Sequence, residues 1–166
     1  MTAARIALVA TIALCCASLV PPAAAQHSHE HHDQQSAAVQ NLQLDAGRKW
    51  ATDAALRAGM SEIRAAFDAD HPAIHAGSET DAQYAALADE IQSLVNRIVE
   101  QCQLPPAADA NLHYVIADLS QGVSLMRGQD PERSRHDGAA LVHGALVAYG
   151  QYFDDPDWSA GAAAKQ

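Results

Sequence analysis

Cysteine and positive charge are both scarce in this 166-residue chain, and each shortage removes a class of protein. Of the three cysteines, Cys15 and Cys16 fall in an N-terminal apolar run, which leaves Cys102 alone in the body. One thiol makes no internal disulfide, so the fold has to hold by packing. Ten Lys and Arg stand against 20 Asp and Glu, a net charge of -10 with His neutral. Such a chain has little with which to neutralise phosphates, which argues against nucleic acid and anionic lipid as partners. The same charge favours solubility and attracts cations. No second long apolar run follows the first, no repeat of about 20 to 50 residues occurs, and no stretch alternates apolar and polar residues as a strand does. Catalytic signatures are missing too. There is no Cys-x-x-Cys-His for covalent haem, no His-Glu-x-x-His, no Gly-x-Ser-x-Gly and no P-loop. The Glu-x-x-His pairs of di-iron bundles are absent from the helical stretches. No carboxylate pair falls on an apolar seam where burial would tune it for acid/base work. The expectation is a protein that is not an enzyme.

What is present begins with an export leader. Arg5 gives a short positive start, Ile6 to Val20 is apolar and uncharged, and Pro21-Pro22 precede Ala23-Ala24-Ala25. The apolar run is shorter than the roughly 20 residues a membrane span needs. The small residues before Gln26 fit the pocket of signal peptidase, so cleavage is expected after Ala25. Neither Cys15, after Leu14, nor Cys16, after Cys15, follows the small residue that a lipid-modified cysteine normally follows. The expected product is soluble and periplasmic, without stable membrane insertion. Loss of Arg5 leaves nine basic against 20 acidic residues, a net charge of -11.

Residues 26–43 are polar and read as a disordered arm. Four helical stretches follow within residues 44–158, and residues 159–166 read as a loose tail. The first, about Thr52 to Ala69, places Leu56, Met60, Ile63 and Phe67 on one face, with Thr52 as the cap and Asp53 at the positive end. Leu44 to Trp50 shows a weaker helical pattern interrupted by Gly47. The second runs from about Glu79 to Cys102, with a seam of Tyr84, Leu87, Ile91, Leu94, Ile98 and Cys102. Thr80 or Ser78 caps it, and Pro105-Pro106 stops it. The third, Ala107 to Met126, carries Leu112, Ile116, Leu119, Val123 and Met126, and Gly128 ends it. The fourth, about Arg133 to Phe153, carries Leu141, Ala145, Ala148 or Tyr149, and Tyr152. Its Gly138, Gly144 and Gly150 offer room for a neighbouring helix, and Pro156 closes it. Four helices on short connections predict an all-α, up-and-down four-helix bundle preceded by a disordered His-rich arm.

The densest chemistry is His27-Ser28-His29-Glu30-His31-His32-Asp33. Neutral imidazole is the commonest side-chain ligand for zinc, copper and nickel. His27, His29, His31 and His32 therefore read as metal ligands, in preference to a plain soluble spacer or a tag. An arm that must order itself on binding gives modest affinity and fast exchange. Asp68, Asp70, His71 and His75 form a smaller cluster. Pro72 argues against one continuous helix through it, so it reads as a solvated loop. Met60 and Met126 fall on apolar faces, where methionine usually packs a core. His113 and His143 lie beside their seams, as surface histidines do. Cys102 has three outcomes: a buried inert thiol, an intermolecular disulfide in a homodimer, or a soft ligand paired with His113 across the Pro-Pro turn.

Two stretches carry a likeness. Leu44-Asp45-Ala46-Gly47-Arg48-Lys49-Trp50-Ala51-Thr52-Asp53-Ala54-Ala55-Leu56-Arg57-Ala58-Gly59-Met60 is one, and Cys102-Gln103-Leu104 continuing to Ala108-Asp109-Ala110-Asn111-Leu112-His113 is the other. With a His-rich arm just after a leader, they resemble small exported proteobacterial proteins labelled "DnrO". That likeness spans most of the mature chain and implies export and four helices, but it assigns no residue a role. The architecture is also similar to cytochrome b562, whose haem is held by a Met of the first helix and a His of the last. That similarity implies haem b bound by Met60 and His143 as an alternative to metal capture. A third reading is an interaction module whose acidic surface binds a protein partner.

Overall fold

The computed structural model describes residues 36–158. The expected leader, the histidines of the arm and the tail 159–166 lie outside the described residues. Four helices carry the fold: α1 (Ala54–His75), α2 (Asp81–Gln101), α3 (Pro106–Met126) and α4 (Arg135–Tyr152). Consecutive helices pack side by side on short connections, and α4 also packs against α1. The four thus close around a single core, an all-α bundle as the spacing predicts.

Helix starts follow local hydrogen-bond supply. Asp53 rather than Thr52 caps α1, its carboxylate accepting the Leu56 N–H at 2.7 Å. The Thr52 hydroxyl instead donates to the Asp154 carbonyl at 2.6 Å. Thr80 and Gln83 form a capping box on α2, and Ser134 and Asp137 form another on α4. Pro106 opens α3 in the first turn, where a missing N–H breaks no helical bond.

The end of α1 differs from the expectation. Pro72 lies inside the helix, which continues to His75. A proline in the last turn removes one backbone bond, and its fixed φ is already helical. The true stop is Gly77, at φ 65°. There Ser78 N–H reaches the Ala73 carbonyl at 2.9 Å and Gly77 N–H reaches that of Ile74 at 3.0 Å, satisfying carbonyls the helix leaves open. His71 and His75 are therefore helical residues one turn apart, not members of a loop.

The core draws Leu56, Met60, Ile63 and Phe67 from α1 and Leu87, Ile91 and Ile98 from α2. In α3, Val115 at 0 % exposure takes the central place expected of Ile116, which packs at the margin. Both α3 and α4 are buried on a wide face because they press closely together. A methyl group built on Gly138 would stand 2.6 Å from the Gly122 carbonyl oxygen and 2.7 Å from the Met126 nitrogen. Of the three α4 glycines expected to admit a neighbour, Gly138 receives α3 and Gly150 receives the Trp158 indole, whereas Gly144 faces open space. The helix ends at Tyr152, four residues before Pro156, because Phe153–Asp154 turn into an extended pairing.

That pairing replaces the weak helix expected over Leu44 to Trp50. Asp45 and Arg48 close a tight turn with two backbone hydrogen bonds of 2.8 and 2.9 Å, with Ala46 and Gly47 at positive φ between them. β1 (Trp50–Ala51) then lies parallel to β2 (Phe153–Asp154), Trp50 opposite Phe153. Beyond β2, the Tyr149 hydroxyl donates to Asp155 Oδ2 at 3.0 Å in the interior. Burial, and then the Asp155 charge, push that phenol far above its ordinary range.

The expected arm also ends early. Residues 36–42 dock on the bundle through a single turn at Val39–Asn41, burying Val39 and Leu42. The Ser36 hydroxyl donates to Asp118 of α3, and Gln43 N–H donates to Asn111 Oδ1 at 3.0 Å. Two apolar side chains three apart are enough to anchor a segment whose composition is otherwise polar. Asp118 is 2 % exposed, and its Oδ1 finds no partner among the described residues. Burial pushes its carboxyl above the ordinary range, with the Ser36 hydrogen bond opposing. A raised native pKa means that Asp118 favours the folded state only while protonated. Its contribution is present below the unfolded pKa and is lost as pH rises through the native one. In urea unfolding, the stability of Asp118→Asn relative to the unaltered chain is therefore expected to improve from about pH 4 to pH 7. A constant difference between the two would contradict this.

Candidate functional site

Three places bring chemistry-bearing side chains together. The first lies where the C-terminal half of α1 passes α4. Because α1 runs through Pro72, Phe67, His71 and His75 follow one another on one face at helical spacing. His143 of α4 joins them. The His71 and His75 ring centroids are 6.1 Å apart, and those of His71 and His143 are 6.0 Å apart. The Phe67 ring sits beside both His71, at 5.7 Å, and His143, at 5.9 Å. Phe67 is buried while the three imidazoles are exposed. The core thus supplies an apolar floor for two of the solvent-facing imidazoles, His71 and His143. None of the hydrogen bonds or ion pairs among the described residues involves His71, His75 or His143.

The electrostatics of that end favour cations. Asp68 and Asp70 both precede His71 in α1, and Asp68 is 3.7 Å from the Arg64 guanidinium. Across the turn to α2, the Glu79 carboxyl is held above its ordinary range by burial and then by the Asp70 charge. Neither Glu79 carboxylate oxygen has a hydrogen-bond partner among the described residues.

The second place is the joint at the other end of α2. Cys102 leaves that helix half-buried, with its backbone extended toward the Pro-Pro turn. Burial raises its thiol pKa most, and the Asp53 and Asp109 carboxylates raise it further. A thiol held protonated is a poorer nucleophile and a poorer soft ligand than a thiolate. His113 is exposed, and its Nδ1 lies 2.8 Å from the Asp109 carbonyl of its own helix. No hydrogen bond joins Cys102 to His113 among the described residues, and no group of three or more His, Cys, Asp or Glu there is arranged to hold an ion as it stands.

The third place is a surface groove of about 500 Å³ beside α1, lined in part by Arg57, Ser61, Arg64, Asp155 and Trp158. Its two arginines are committed to the fold. Arg57 donates to the Thr52 carbonyl at 2.9 Å, while Arg64 donates to the Trp158 carbonyl at 2.6 Å and lies over the indole at 4.8 Å. With Asp68, Asp155 and Asp157 on its walls, the groove is a poor anion site.

The haem residues do not meet. Met60 is 0 % exposed in the middle of the core, while His143 is on the surface beside Phe67, two helical turns along α1. Met126 is likewise wholly buried. These positions do not fit a haem, whose iron needs both ligands at one centre. Two features had no sequence signal strong enough to find them. His143 looks like any histidine beside a seam until α4 is placed against α1. Asp118 interrupts an otherwise apolar set, Val115, Gly122 and Leu125, on the second buried face of α3.

Fold and site together define a four-helix bundle with imidazoles gathered at one end. Compared with protein-family models, curated proteins and solved structures, the chain matches none of them. No helix among the described residues is long and apolar enough to cross a membrane.

Proposed function

We propose that this chain is an exported, periplasmic metal-binding protein that buffers copper, zinc or nickel through its arm, with the bundle as scaffold. The observation that carries the reading is the arm itself: His27, His29, His31 and His32 stand with Glu30 and Asp33 in a single seven-residue stretch. Imidazole selects borderline transition ions, and the two carboxylates add charge without demanding a fixed geometry. The acidic body supports it, since a net charge of -10 raises the local cation concentration. The protein acts by binding rather than by catalysis. Cys102 serves as a shielded thiol in this reading.

The test is substitution of all four arm histidines by alanine in an untagged protein. Calorimetric titration with Cu(II), Zn(II) and Ni(II) is expected to show loss of the arm's binding event, an affinity fall of about tenfold or more. Unchanged stoichiometry and affinity would remove the arm from the mechanism.

A further inference from the structure

A second imidazole cluster, separate from the arm, stands on the folded body, and it deepens the metal-buffering reading on which it rests. We infer that His71, His75 and His143 form a binding site for a divalent transition ion of the zinc, copper or nickel class, bridging α1 to α4. Three observations lead there.

The first is spacing. His71 and His75 are one turn apart on a continuous helix, the separation at which two side chains reach one ion. His143 comes from a different helix, 6.0 Å from His71 by ring centroids. The second is availability. All three rings are exposed, and no hydrogen bond or ion pair among the described residues occupies them. The third is surroundings. Phe67 backs His71 and His143 with an apolar wall. Asp70 and Glu79, whose carboxylate oxygens have no hydrogen-bond partner among the described residues, place two carboxyl groups at the same end of the bundle.

The site is not pre-formed. Metal–nitrogen bonds of about 2.0 Å in a tetrahedral set bring imidazole centroids to about 5 Å. The present separations of 6.0 and 6.1 Å are about 1 Å too wide. Closing that gap asks the exposed histidines to change rotamer about their side-chain bonds. Such an open site binds more weakly than a closed structural one and keeps coordination positions for water. Occupancy ties the end of α1 to α4, so metal is expected to stabilise the fold by mass action.

The alternative is that the three rings only pack on Phe67. The experiment uses the full-length chain, a variant with the four arm histidines replaced by alanine, and that variant with His71→Ala and His75→Ala added. Each is titrated with Zn(II) by calorimetry, and histidine ring protons are followed by NMR. The arm variant is expected to keep one bound Zn(II), with shifts confined to His71, His75 and His143 and a higher Tm with metal. Adding the two α1 substitutions is expected to abolish both, and His143→Ala alone on the arm variant to weaken binding about tenfold. Circular dichroism confirms that these surface variants stay helical.

The outcomes separate the two claims. An arm variant that binds no Zn(II), beside an unaltered chain that does, overturns the three-histidine site and keeps the arm. An arm variant indistinguishable from the unaltered chain, with binding lost only on His71→Ala and His75→Ala, keeps the site and removes the arm. Binding that survives loss of His143 unchanged overturns the bridge between α1 and α4.

Discussion

Gly138→Ala is expected to lower stability by about 2 to 3 kcal/mol, although alanine is the better helix former by about 1 kcal/mol. The added methyl group would meet the Gly122 carbonyl at 2.6 Å, the Met126 nitrogen at 2.7 Å and Leu125 Cβ at 2.8 Å. Two of those three are backbone atoms of α3, which have no rotamer to escape into. Relief requires α3 and α4 to move apart, and Val142, Ala139 and Val123 all lose contacts when they do. Gly144 provides the internal control, because a methyl group there meets nothing within 4 Å. Gly144→Ala is expected to raise stability by about 0.5 to 1 kcal/mol through propensity alone. Urea unfolding of the two variants checks both signs. Equal effects at the two positions would contradict the close crossing.

Asp53→Ala is the second substitution with a large effect, because one carboxylate holds two segments. Oδ1 accepts the Leu56 N–H at 2.7 Å and caps α1, while Oδ2 accepts the Gln103 N–H at 2.6 Å in the link between α2 and α3. Loss of an N-cap costs about 1 kcal/mol. Loss of a hydrogen bond to a charged acceptor costs about 1.5 to 3 kcal/mol. A total near 3 kcal/mol is expected by urea unfolding. A second readout is independent of stability. The Asp53 charge is the next largest cause, after burial, of the raised Cys102 thiol pKa, so its removal is expected to lower that pKa. Thiol labelling as a function of pH shows it. Asp53→Asn keeps one acceptor and is expected to recover part of the stability while still lowering the thiol pKa.

The helices were legible because their apolar residues repeat at three and four and their ends carry hydrogen-bonding side chains. Thr80 at the start of α2 is one such side chain, and Gly128, at positive φ, marks the end of α3. Other features depend on partners distant in the chain. Pro72 reads as a stop unless the last turn of α1 tolerates one missing bond, which it does, with Gly77 as the actual end. Trp50 and Ala51 are extended because β2 arrives beside them, more than a hundred residues later. Val39 and Leu42 belong to the core, although the residues around them have the composition of an arm.

The candidate site divides along the same line. The arm histidines are visible as a run because local sequence alone groups them. His71 and His75 are also visible as a pair, but their shared face depends on the helix continuing through Pro72. His143 joins them only through the packing of α4 on α1, and no local pattern encodes that meeting. Met60 and His143 are set apart for the same reason. Order along the chain suggested facing ligands, while packing placed one in the core and the other at the surface.

The most direct measurement of metal buffering is the metal content and ultraviolet–visible spectrum of untagged protein recovered from the periplasm, followed by calorimetric titration of the stripped protein. Chain beginning at Gln26, carrying copper, zinc or nickel in stoichiometric amount and rebinding it after stripping, is the expected result. Metal-free protein that gives no heat with any of the three ions would contradict it.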